Sequence, residues 1–215
     1  GLGFAYSEQG KYDLAIASYQ KAIAINPNDV GVHHNLGIIY TIQGKYDLAI
    51  ASYQKAIAID PNHADGHYGL GFAYSEQGKY DLAIASFKNA IAIDPNHAVA
   101  YYKLGIAYAN QGKYDLAIAS YQNAIEIDPK DAAAYYSLGI AYGKQGKYDL
   151  AIASFKNAIA IDPDFAEAHY NQGVAYANQG KNDLAIASFK RAVSINPNLD
   201  SPELQKFINL HEAER

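Results

Sequence analysis

The chain repeats itself every 34 residues over residues 1–199. A Gly-Lys pair recurs at that step, and so does a single proline. The prolines are Pro27, Pro61, Pro95, Pro129, Pro163 and Pro197. A period of this length is typical of stacked supersecondary units, each too small to bury its apolar face alone. The repeat therefore predicts a continuous array, and the extended surface of such an array favours binding over catalysis.

Each repeat divides into two segments whose apolar residues have helical spacing. In residues 98–131 these residues recur at steps of three and four on both sides of Gly112. A glycine just after the first segment suits a left-handed C-terminal cap, and we expect Asp115 to cap the N-terminus of the second. Asp128 precedes Pro129, which disfavours helix and ends the second segment. Two antiparallel helices per repeat are predicted.

A glycine stands in the middle of the first helix of every repeat, although an interior glycine costs about 1 kcal/mol relative to alanine. The column is Gly3, Gly37, Gly71, Gly105, Gly139 and Gly173. An alanine column recurs in the second helix at Ala15, Ala49, Ala83, Ala117, Ala151 and Ala185. The repeated glycine predicts that the two helices touch at these columns.

This repeat resembles that of tetratricopeptide repeat proteins. The resemblance rests on Leu104-Gly105-Ile106-Ala107-Tyr108, Ala117, the aromatic Tyr121, Ala124 and Pro129. It implies an all-α fold, a right-handed α-solenoid (superhelix) of antiparallel helix pairs, over residues 1–199. The units are a partial repeat 1–29 and the repeats 30–63, 64–97, 98–131, 132–165 and 166–199. Because the first residue is not methionine and falls inside a predicted helix, we expect the chain to be a fragment of a longer array or of a larger protein.

Residues 200–215 leave the repeat pattern. Ser201 and Pro202 form a good helix start, and Leu204, Phe207 and Ile208 follow at helical spacing. We interpret this segment as a capping helix that covers the last repeat. The alternative is a segment that docks into a neighbouring molecule.

Composition narrows the classes of function. The net charge of −5, with both signs mixed, argues against a nucleic-acid partner. No apolar run approaches the ~18 residues of a membrane span, so no membrane insertion is expected.

No phosphate loop, nucleophile motif or paired carboxylates occur, which predicts a chain that is not an enzyme and needs no cofactor. The chain has no cysteine, and its seven histidines do not converge with carboxylates in the sequence, so no metal site is expected. A cytoplasmic location is favoured.

The resemblance also implies which side chains face a ligand, because the first helices of tetratricopeptide arrays line a concave groove. An aromatic column there reads Tyr68, Tyr102, Tyr136 and Tyr170, with His34 before it. An apolar column includes Ile38, Phe72, Ile106 and Ile140. Lys103 and Lys144 add positive charge, and Glu8, Asp65 and Glu76 place acid in the front half. The tyrosines also suit packing between neighbouring helices, so contact surface and core stay equal alternatives.

The leading hypothesis is a scaffold that binds a peptide or protein segment in this groove. The carboxylate clamp of chaperone-tail binders is absent, because the Tyr68 column holds no lysine and the Ile38 column holds no asparagine. Asn35 and Asn171 form only a fragment of the asparagine ladder found in N-acetylglucosamine transferases. Two alternatives remain: self-association into a homo-oligomer, and a targeting module of a larger, glycosyltransferase-like enzyme.

Overall fold

A computed structural model describes residues 2–213, and every regular element in that range is a helix. Gly1, Glu214 and Arg215 lie outside the described residues, together with the parts of the predicted repeat 1–29 and capping helix 200–215 that fall on them. Successive helices are joined by short turns and pack in pairs. The prediction of an all-α solenoid built from helix pairs is confirmed.

The chain forms two compact units, divided in sequence between Gln111 and Gly112. We call the part up to Gln111 the front unit. Its helices are α1 (Leu2–Glu8), α2 (Tyr12–Ile25), α3 (Val30–Ile42), α4 (Tyr46–Ile59), α5 (Ala64–Glu76), α6 (Tyr80–Ile93) and α7 (Ala98–Asn110). Within this unit α3 packs against α4 and α5 against α6, and α5 also contacts α3 and α7.

The rear unit begins at Gly112. Its helices are α8 (Tyr114–Ile127), α9 (Ala132–Lys144), α10 (Tyr148–Ile161), α11 (Ala166–Asn178), α12 (Asn182–Ile195) and α13 (Pro202–Ala213), with a short 3-10 turn at Pro197–Leu199. Here α9 pairs with α10 and α11 with α12. Helix α13 lies on α12 and buries Leu204 and Ile208 in the core that contains Phe189. Ser201 accepts a hydrogen bond from the backbone N–H of Leu204 at 3.2 Å, as a cap should.

The turn between the two helices of each repeat depends on a glycine in the left-handed region. These are Gly10, Gly44, Gly78, Gly112, Gly146 and Gly180, with φ between 69° and 71°. Other residues rarely adopt this conformation without strain. The predicted C-terminal cap is therefore confirmed. The second helices also end where the proline predicts, as at Asp128, which has extended backbone angles.

The predicted N-terminal cap is wrong. The second helix of the fourth repeat starts at Tyr114, so the capping position is Lys113, whose side chain makes no cap hydrogen bond. Asp115 lies two residues past the capping position, inside the helix. Its carboxylate instead accepts a hydrogen bond from Gln145 Nε2 at 2.8 Å. The aspartate therefore bonds to the next repeat and does not cap its own helix.

The glycine column meets the second helix, and the atoms nearest to it belong to a buried aromatic ring. A Cβ placed on Gly71 would lie 2.7 Å from Cδ1 of Phe87, and one on Gly37 would lie 2.7 Å from Cε1 of Tyr53. Both rings are buried. The missing side chain leaves room for an aromatic ring, and the alanine column lies beside that contact. A Cβ on Gly173 would also lie 3.1 Å from the backbone carbonyl oxygen of Ala185, which belongs to the alanine column.

The lengths of the helices bear on the expectation that the chain does not insert into a membrane. The longest helices in residues 2–213 have 14 residues. None of the described helices combines the length and the apolarity needed to cross a bilayer.

Candidate binding pockets

The front unit contains a cavity of about 350 Å³ between the first helices of two successive repeats. We call it the front pocket. Helix α3 contributes His34, Ile38, Thr41 and Ile42, helix α5 contributes Asp65, Tyr68, Gly69 and Phe72, and Tyr53 of α4 forms the floor. Three side chains of the predicted groove, Ile38, Tyr68 and Phe72, thus line one cavity.

The front pocket combines an ordered floor with exposed apolar walls. Tyr53 is only 3% exposed, and its hydroxyl lies 3.3 Å from the hydroxyl of Thr41. Thr41 in turn donates to the carbonyl oxygen of Gly37 at 2.9 Å. By contrast, Ile38 is 37% exposed and Ile42 is 55% exposed. Apolar side chains held open above a fixed floor can bury further area when a ligand enters.

Tyr68 both packs against neighbouring rings and lines the front pocket. Its ring packs against Phe87, at 6.0 Å between centroids, and against His97, at 5.1 Å. The side chain is nevertheless only half-buried and lines the pocket. The ring is anchored in the core on one side and available to a ligand on the other.

One carboxylate dominates the electrostatics of the front pocket. Asp65 has a 69% exposed side chain and lies 3.6 Å from Nε2 of His97. Burial raises the pKa of Tyr68, and the nearby Asp65 charge adds to that rise. Burial also lowers the pKa of His34, with a smaller contribution from His63 and an opposing one from Asp65. His34 is therefore a neutral imidazole at neutral pH.

The rear unit contains an equivalent cavity of about 210 Å³, which we call the rear pocket. Its lining is Gly139, Ile140, Gly143 and Lys144 from α9, Tyr148 and Phe155 from α10, and Asn171, Val174, Ala175 and Asn178 from α11. Ile140 and Phe155 stand three repeats after Ile38 and Tyr53. The two pockets therefore occupy the same repeat positions with different side chains.

The rear pocket is the more polar of the two. Asn171 donates through Nδ2 to the hydroxyl of Tyr136 at 3.0 Å and to the carbonyl oxygen of Glu167 at 2.9 Å. Asn178 donates to the carbonyl oxygen of Val174 at 2.8 Å. These bonds fix both amides at the pocket wall. Lys144, in the last turn of α9, supplies the positive charge.

The other predicted groove residues lie outside the lining of both pockets. In the front unit, Nζ of Lys103 stands over the Phe72 ring at 5.2 Å and over the Tyr102 ring at 5.8 Å. Ile106 is half-buried on the same helix, α7.

In the rear unit, the two predicted tyrosines pack against aromatic rings. Tyr136 contacts Phe155 and Phe165, with centroids 5.9 and 4.8 Å apart. Tyr170 contacts Phe189 at 5.3 Å. Both tyrosines are half-buried, so their assignment to a ligand surface stays a prediction.

Sequence reasoning missed a set of hydrogen bonds between repeats, which we call the corner bonds. In each, a glutamine Nε2 donates to an aspartate 30 residues earlier. The pairs are Gln43–Asp13, Gln77–Asp47, Gln111–Asp81, Gln145–Asp115 and Gln179–Asp149. The available signal was that both residue types recur at the repeat period next to the turn glycine.

Histidines also have a structural role that the sequence did not indicate. Nε2 of His33 lies 2.8 Å from the carbonyl oxygen of Pro27, and His67 makes the same contact with Pro61 at 3.0 Å. These bonds tie the start of a first helix to the preceding turn. In residues 2–213, no three metal-ligating side chains converge on one point.

Comparison with known proteins identifies the family. A model of the TPR repeat matches residues 3–41, 39–78, 74–112 and 107–146, and a model of the tetratricopeptide repeat matches residues 136–200. The chain belongs to the tetratricopeptide repeat family. It is a protein-interaction scaffold, built on a fold that is typically non-catalytic. A search of curated protein sequences finds no match.

Solved structures support the same fold. YrrB, described as a TPR protein with an unusual peptide-binding site, is 26% identical, with 92% of this chain and 98% of that chain covered and a TM-score of 0.73. MamA is 33% identical, with 78% and 92% covered and a TM-score of 0.73. PilF of Pseudomonas aeruginosa is 20% identical, with 100% and 95% covered and a TM-score of 0.79, and shows the fold alone.

Proposed function

We propose that this tetratricopeptide scaffold binds a peptide segment of another protein at its pockets between first helices. The observation that carries the proposal is the front pocket, where Ile38 and Ile42 stay exposed above the buried Tyr53. A surface that keeps apolar side chains open on a fixed floor suits the anchor residues of a peptide. The peptide-binding site named for YrrB, a structural relative over nearly the whole chain, supports the same function.

The expected affinity follows from the apolar area available. Burying two or three apolar anchors contributes about 1.5–3 kcal/mol each. Association and ordering of the peptide oppose this gain. The gross gain is at most about 9 kcal/mol, so the anchors alone allow a dissociation constant no tighter than about micromolar.

Selection from a random peptide library, followed by calorimetry with the selected peptide, tests the proposal. Phe72→Ala combined with Ile38→Ala should weaken binding by at least about tenfold, because both anchor contacts are lost. Leu48→Ala is the matched control, since Leu48 is an exposed leucine of the same unit outside the front pocket. Circular dichroism verifies that each variant is folded. Failure to select any peptide, or equal binding by the double variant and the control, would refute the proposal.

Self-association is a second candidate, favoured by apolar exposure at the front of the front unit. Leu2 is 65% exposed, Phe4 56% and Ile25 86%, and all three line one cavity of about 570 Å³. A second copy that covers this patch would remove it from water. Light scattering over a wide concentration range decides between the candidates: a dimer that Ile25→Glu dissociates supports self-association, and a monomer at all concentrations rejects it.

A further inference from the structure

The front pocket is lined by an unusual set of groups for an apolar cavity. Four of its side chains are aromatic, namely His34, Tyr53, Tyr68 and Phe72, and one is the carboxylate of Asp65. The faces of aromatic rings attract cations through their quadrupole. A carboxylate beside such rings adds direct charge attraction for the same ligand.

Resting on the proposed function, we propose that the front pocket selects a segment by a basic side chain, arginine or lysine. The methylene stem of that side chain would lie against Ile38 and Phe72, and its charged end would approach Asp65. Long basic side chains commonly divide in this way between apolar stem and charged head.

The charge of Asp65 is available to such a ligand. Among the described residues, no lysine or arginine nitrogen lies within 4 Å of its carboxylate, and its ion-pair contact is with the imidazole of His97. The side chain is mostly exposed at the pocket. His34, on the opposite wall, is neutral and adds no competing charge.

The front unit already shows that one of these rings accepts a cation. The ammonium of Lys103 stands over the face of Phe72 at 5.2 Å. Lys103 is not part of the pocket lining, whereas Phe72 is. Its positive charge weakens the attraction for a second cation, so the net preference depends on Asp65.

The rear pocket provides an internal comparison, because three lining positions of the front pocket carry different side chains there. Lys144 stands where the front pocket has Ile42, Asn171 where it has Gly69, and Val174 where it has Phe72. Two of these exchanges add polar side chains, one of them a cation, and the third removes an aromatic ring. Selection for a basic side chain is therefore a property of the front pocket.

The test uses two small probes that differ in charge and have nearly the same shape, N-acetylargininamide and N-acetylcitrullinamide. Thr41 is the only threonine of the chain and lines the front pocket. Methyl labelling of threonine therefore gives a single NMR signal that reports on this cavity. The arginine probe should shift this signal saturably, with an affinity about two- to fivefold above that of the citrulline probe, as for an exposed charge pair.

Two variants complete the design. In Asp65→Asn the two probes should bind alike, because the charge is lost with the shape retained. In Glu167→Gln, which changes the acid at the equivalent position of the rear unit, the difference between the probes should persist. Equal binding of both probes to the unchanged protein, no shift with either probe, or a difference that survives Asp65→Asn would overturn the inference. Peptide selection tests the proposed function independently, since peptides bound without charge preference would refute only the inference.

Discussion

Replacing Gly71 by alanine should destabilise the front unit, although alanine is the better helix former. The substitution gains about 1 kcal/mol in helix propensity. The new methyl group would lie 2.7 Å from Cδ1 and 2.8 Å from Cε1 of Phe87, well inside the ~3.5 Å at which carbon atoms make favourable contact. Phe87 is 0% exposed, so its ring has no free volume to enter, and overpacking costs about 1–3 kcal/mol. The net loss should be up to about 2 kcal/mol.

Gly31→Ala in α3 of the same unit is the matched control. Its new methyl group meets only Asp29 Oδ1, at an ordinary 3.5 Å, so the gain in propensity should remain. Urea unfolding followed by circular dichroism measures both variants, and hydrogen exchange of α5 and α6 reports on the front unit. Phe87→Leu should recover part of the loss in Gly71→Ala, with a coupling energy that a double-mutant cycle measures. The reasoning is refuted if Gly71→Ala stabilises the protein as much as Gly31→Ala.

Three further predictions concern other parts of the chain. Gln77→Ala removes the corner bond to Asp47 and should lower the free energy of unfolding by about 0.5–1 kcal/mol, measured by urea unfolding. Adding Asp47→Ala should cause no further loss, because both changes remove the same bond; additive losses would contradict a shared bond. His34 should titrate below its ordinary pKa of about 6.5 by NMR. Its contribution to stability should therefore be present above that value and lost as the pH falls through the folded-state pKa, and His34→Gln should flatten this part of the stability curve. Leu204→Ala leaves a cavity under α13 and should cost about 2–4 kcal/mol, seen as faster hydrogen exchange in α12; unchanged exchange would show that α13 contributes little.

The helix pairs could be predicted because they depend on local chemistry. Spacing at three and four residues, a glycine at the turn and a proline after the second helix act within a few positions, and Gly112 and Asp128 behave as predicted. The prediction for Asp115 was wrong because an aspartate near a helix start can either cap that helix or bond to another part of the chain. Its partner, Gln145, stands 30 residues away, and helical spacing carries no information about that distance.

For the pockets, the sequence could predict only which repeat positions face the groove. The resemblance placed Ile38, Tyr68 and Phe72 on first helices, and the front pocket does contain them. It could not show that Tyr53 of the second helix forms the floor, because that contact exists only where the glycine column admits a ring. Nor could it separate Lys103, which lies over Phe72, from Lys144, which lines a cavity.

The corner bonds have a consequence for how such a chain can change in evolution. Each repeat between the first and the last carries one aspartate for the repeat that follows and one glutamine for the repeat before, as Asp81 and Gln77 do within the same turn region. Duplication or loss of 34 residues, in any phase, regenerates this pair at the new junction. Gain or loss of a number of residues that is not a multiple of 34 would separate a glutamine donor from its aspartate acceptor. Arrays can therefore lengthen or shorten by whole 34-residue repeats without new compensating substitutions.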